Sequence, residues 1–211
     1  MKVKKGGIIW LVLAILNVIV FLFDKPIIFF ITKLRTSILD ILLFNFAFDN
    51  FVIILLALLI GILILGGCGT KKRCLILSAI ASVVFSWIIG SILCNLIMRP
   101  GPFQEYPIPV LTLLFINLSG KIIGYHCSFP CIHAMITFSL IPLLNEHFKK
   151  LRVLWIILAS IISLSRVYFG ANYLSDVFAG ALLGYLIGYL VLKINEKYEI
   201  SEKIRHKIMH K

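Results

Sequence analysis

The chain has 211 residues, of which 61% are hydrophobic and only 14% charged, with a formal net charge of +12. So few polar groups cannot solvate the surface of a soluble domain, which points to a membrane protein. In such a chain the basic excess serves topology and lipid contact, and no nucleic-acid-binding motif is present.

Residues 7–23 form the first apolar run, preceded by Lys2, Lys4 and Lys5. The run ends in Phe21-Leu22-Phe23 without a small-residue cleavage site, so a retained transmembrane helix is predicted. Residues 26–48 are apolar but carry Lys33, Arg35 and Asp40, which makes a crossing costly. An amphipathic segment lying in the interface is predicted there. Runs at 51–67, 75–98, 131–144 and 153–164 follow. The last two are short, and their sparsely charged flanks complete them toward the about 20 residues of a span. Residues 111–118 are too short to cross and are predicted to dip into the interface, and a final run covers 177–192.

The predicted fold is therefore an all-α, polytopic membrane protein with about six transmembrane helices plus an interfacial segment. Residues 1–50 hold the first helix and that segment, 51–192 the transmembrane core, and 193–211 a basic tail. Fifteen of the 21 basic residues lie in 1–6, 68–74, 145–152 and from 193 onward. The positive-inside rule then puts both termini in the cytoplasm. The tail either lies on anionic inner-leaflet lipids or is solvated.

Three polar stretches fall on the opposite, outer side: Arg99-Pro100-Gly101-Pro102, Ser128 to His133, and Ser165-Arg166 to Asp176. Arg99 and Arg166 each end an apolar run. A guanidinium offers forked, permanently charged donors that match phosphate oxygens, so the pair could clamp a phosphate ester at headgroup level. Alternatively, each simply snorkels to lipid headgroups. Pro130 suits the first turn of a helix, whose free N–H groups favour an anion. His133 in that turn could protonate a leaving group or serve as an interfacial residue. Asn172 lies four residues before Asp176, so the two face each other if the turn is helical.

Cys68, Cys74, Cys94, Cys127 and Cys131 make an odd count without a zinc spacing. Cys127 and Cys131 pair if their segment bends; otherwise they are small apolar fillers. No metal site and no cofactor are expected.

In this order and spacing, Arg99-Pro100, Pro130 with His133, and Ser165-Arg166 with Asp176 resemble the membrane branch of the type 2 phosphatidic acid phosphatase superfamily. That superfamily also includes undecaprenyl-pyrophosphate phosphatases and vanadium haloperoxidases. The resemblance covers roughly residues 50–192, making 51–192 a phosphatase-like core. It implies that Arg99, Arg166 and position 131 bind phosphate, that His133 protonates the leaving oxygen, and that Asp176 orients a nucleophilic histidine. That histidine's place is taken by Asn172. Three further positions depart from the pattern: Ile92 for Lys, Cys131 for Ser and Ile132 for Gly. His126 or Cys131 could substitute as nucleophile. The expected protein acts on or binds lipid phosphates or diphosphates at the outer face, with catalysis impaired at Asn172. The alternative is a non-catalytic lipid-phosphate binding or transport protein.

Overall fold

The computed structural model describes residues 12–13, 15–47, 70–105 and 127–198. Among these residues the regular structure is helical, apart from one isolated antiparallel bridge between Pro100 and Cys127. The expected runs at 51–67 and 111–118 lie outside the described residues, as do His126 and most of the basic tail.

Helix α1 (Ile15–Leu22) meets α2 (Asp24–Lys33) at a 58° bend, and among the described residues the two reach the length and apolarity of a span as a pair. Three further stretches reach it alone: Leu75–Ile97 within α4 (Thr70–Ile97), Lys149–Tyr168 containing α7 (Arg152–Tyr168), and Leu174–Asn195 within α8 (Leu174–Tyr198). The described helices thus account for three or four spans. After the one-turn α5 (Pro102–Glu105), α6 (Ile132–His147) has 16 residues, and its buried face includes Met135, Leu140 and Leu143. The apolar side chains Leu77, Val84, Trp87, Val153, Ile157 and Leu190 point outward, as lipid-facing positions do.

The segment expected in the interface is two helices, α2 and α3 (Ser37–Ala47), broken at 34–36. Thr36 starts the second one, its hydroxyl accepting the Leu39 N–H at 3.3 Å, as an N-cap does. Two of its three charges are matched to each other. Arg35 pairs with Asp40 at 3.1 Å and lies over the rings of Tyr168 and Phe169. Tyr168 donates to Asp40 at 2.8 Å, fastening α3 to the end of α7.

The core of the arrangement is the α6–α8 pair. Gly180, Gly184 and Gly188 recur every four residues on one face of α8. A methyl group added to Gly184 would stand 2.1 Å from the Met135 carbonyl, and one on Gly188 1.9 Å from that of Ser139. Backbone therefore meets backbone, which only glycine permits, and lipid-embedded helices associate through such close contact. The stripe ends at Gly180, beside the carbonyl of Cys131. It fixes the start of α6 against the start of α8.

Candidate functional site

The three polar stretches converge where α4 ends, α6 and α8 begin, and α7 ends. α4 stops at Ile97 because Pro100 and Pro102 cannot continue it, and Met98 turns the chain with a φ of 49°. Arg99 follows, and its backbone is joined to the loop before α6. The Ser128 N–H donates to the Arg99 carbonyl at 2.7 Å, and Cys94 and Cys127 form a disulfide. The considered Cys127–Cys131 bridge is thus not the pairing found. Cys127 meets Cys94, 33 positions away with Cα atoms 5.6 Å apart, because the α4 end lies beside the loop. Cys131 is the N-cap of α6 and turns into the core as a buried free thiol. Pro130 precedes that cap, and the first turn itself begins with Ile132 and His133.

Ser128 is the hub of the site and is completely buried. Its hydroxyl donates to Asp176 Oδ2, and its carbonyl accepts from Asn172 Nδ2 at 2.6 Å. Asp176 Oδ2 also accepts the Tyr173 N–H at 3.1 Å, while Oδ1 accepts from Arg99. Asn172 Oδ1 faces Arg166 Nε at 3.4 Å. One hydrogen-bonded chain therefore runs from Arg99 through Asp176, Ser128 and Asn172 to Arg166. Asn172 and Asp176 do not face each other across a helical turn as expected. α8 begins at Leu174, Asn172 lies in the preceding turn, and the two side chains meet through Ser128.

The surroundings dictate how the Asn172 amide points. A guanidinium only donates and a carbonyl only accepts, so the amide oxygen faces Arg166 and the nitrogen faces Ser128. The nitrogen lone pair is delocalised into the amide and attacks nothing. Asp176 is equally committed, with both oxygens engaged. Cys131 is no better placed as a nucleophile, because its thiol is wholly buried in the core. His133 stands half-buried in the first turn of α6.

Two departures from the family pattern lie on or against α4. Ile92 is 52% exposed on α4. Ile132 lies against Gly90 of α4, where an added methyl group would come within 3.0 Å of its Cγ1. The branched side chain at 132 thus fills space that a glycine on the neighbouring helix leaves.

Asp24 is the site residue that the sequence did not single out. It is 2% exposed, at the start of α2. It accepts from Arg99 Nη2 at 2.8 Å, from the Ser175 N–H at 3.0 Å, and from the Ser175 hydroxyl. Asn17 helps to hold this flank, donating to the Ser175 carbonyl at 2.9 Å. Arg99 is thus bracketed by Asp24 and Asp176, with the Tyr173 ring 4.1 Å and the Phe21 ring 4.6 Å away. Burial works against its charge, but the Asp24 hydrogen bond and the two carboxylates outweigh that and raise its pKa further. The available signal for Asp24 was an acid placed directly after the first apolar run. Among the described residues, no cluster of three His, Cys, Asp or Glu could hold a metal ion.

The profile of the PAP2 superfamily matches residues 74–199. The bacitracin transport permease protein BcrC of Bacillus licheniformis is 34% identical over 116 residues, which is 54% of this chain and 52% of that protein. The chain therefore matches about half the length of that relative. A solved structure, the first transmembrane PAP2-type phosphatidylglycerolphosphate phosphatase from Bacillus subtilis, superposes with a TM-score of 0.65 over 90% of this chain and 94% of that one. At 19% identity this is a likeness of fold. The family suggested by the arginine, histidine and aspartate spacing is the one found, and the chain is a membrane, phosphatase-like member of the PAP2 superfamily.

Proposed function

We propose that this protein holds the phosphate or diphosphate headgroup of a membrane lipid at the outer face, and that the family's histidine route does not run in it. Asn172 carries this reading. It stands where the resemblance places the nucleophile, and its amide is locked between Ser128 and Arg166. An aspartate that would orient a histidine is instead bound to Arg99, Ser128 and the Tyr173 N–H. His133 and the two arginines are retained, so the anion-binding elements outlast the nucleophile.

The lipid nature of the ligand draws support from an apolar cavity of about 600 Å³ under the site. Leu13, Phe138, Leu174, Val177 and Phe178 are among the residues that line it. Leu174 and Val177 flank Ser175 and Asp176, so an apolar chain there would sit next to the polar cluster. A pocket of this size and lining suits a lipid tail. The outer location rests on the loop charges, which also put both termini in the cytoplasm in a chain of about six spans.

The test compares phosphate release from phosphatidate, phosphatidylglycerophosphate and polyprenyl diphosphates by wild type, Asn172→His and Asn172→His/Arg166→Ala. Wild type is expected to bind and to release nothing. Asn172→His is expected to gain release that the added Arg166→Ala removes. A silent Asn172→His protein that still binds lipid phosphate would mean that Asn172 is not what stops the reaction.

A further inference from the structure

The anion donors beside Arg99 are already occupied, and the occupant belongs to the chain. Arg99 Nη2, the Ser175 N–H and the Ser175 hydroxyl all converge on the carboxylate of Asp24. The Ser175 N–H belongs to the first turn of α8, where backbone donors and the helix dipole favour a negative group. A guanidinium, a first-turn N–H and a hydroxyl are also the donors that a phosphoryl oxygen seeks. Asp176 is a second carboxylate on the same guanidinium, so Arg99 carries no unmatched positive charge for an incoming phosphate.

We propose that Asp24 is an internal ligand of the phosphate site, which a lipid phosphate must displace to engage Arg99. This inference rests on the lipid-phosphate reading above. Asp24 stands at the 58° bend between α1 and α2, so a change at that bend would carry the carboxylate away without disturbing the α6–α8 packing. Displacement then exchanges one anion for another on the same donors, while Asp176 keeps its contacts with Ser128 and the Tyr173 N–H. Asp24 would set the affinity threshold of the site, admitting ligands with enough phosphate charge to outcompete it.

The experiment titrates dioctanoyl phosphatidate into detergent-purified wild type, Asp24→Asn and Asp40→Asn. Asp40 serves as the control because its carboxylate belongs to the separate Arg35 and Tyr168 cluster. Asp24→Asn is expected to bind about tenfold more tightly than wild type, the scale of one charge-assisted hydrogen bond released from competition. Asp40→Asn is expected to match wild type. Equal or weaker binding by Asp24→Asn, or an equal gain from Asp40→Asn, would overturn the proposal and leave the lipid-phosphate reading standing. If neither wild type nor Asp24→Asn binds, that reading fails and this inference falls with it. Hydrogen exchange on the wild-type protein decides the matter if Asp24→Asn does not fold. Peptides spanning residues 15–33 should exchange faster when phosphatidate is bound, and unchanged exchange in the bound protein would contradict displacement.

Discussion

Arg99 and Arg166 look equivalent in the sequence, each closing an apolar run before a break, yet their surroundings are opposite. Arg99 lies between two carboxylates and two aromatic rings, an ionic knot that joins α2 to α8. Arg166 faces the uncharged amide of Asn172. The first is held at rest by the chain's own carboxylates. The second contacts an uncharged amide in place of a carboxylate. A two-armed phosphate clamp with equal arms is therefore the wrong picture of the resting protein.

The largest effect that would sharpen this contrast is Arg99→Ala. It leaves Asp24 and Asp176 buried without their cation and should lower stability by about 3–5 kcal/mol. Thermal unfolding in detergent reads this, and adding Asp24→Asn should recover part of the loss. Gly184→Ala tests the scaffold that both arginines share. Its new methyl group meets the Met135 carbonyl, and a cost of about 1–3 kcal/mol is expected by the same measurement. Arg166→Ala should reverse the pattern of Arg99→Ala. A stability change of about 1 kcal/mol should accompany loss of lipid-phosphate binding in a ligand titration. If Arg166→Ala destabilised as strongly as Arg99→Ala, the two environments would not differ in the way described. Tyr168→Phe should have the smallest effect, about 0.5–1 kcal/mol, through loss of the bond to Asp40, with ligand binding unchanged.

Much of this was legible in the chain. Long uncharged runs gave α4 and α8, and the Pro-Gly-Pro after Arg99 gave the end of α4. The charges at Lys33, Arg35 and Asp40 set 26–48 apart in the sequence, but its break at 34–36, where Arg35 meets Asp40 and Tyr168, was not legible there. The cysteine pairing was not legible, because Cys94 and Cys127 are brought together only when the α4 end docks on the loop. The place of Asp24 was hidden for the same reason. An acid after an apolar run reads as an interfacial residue, and its partners Arg99 and Ser175 lie 75 and 151 positions away. The four-residue glycine spacing on α8 was visible, but it becomes a packing statement only beside the α6 backbone.

The central claim is a lipid-phosphate site without the family's nucleophile, and phosphate release by the wild-type protein tests it most directly. Purified wild type and Arg166→Ala would be incubated side by side with the lipid phosphate and diphosphate panel. The account predicts that wild type binds these lipids yet releases no more phosphate than Arg166→Ala. Sustained release by wild type that Arg166→Ala abolishes would contradict it and show that another residue attacks in place of Asn172.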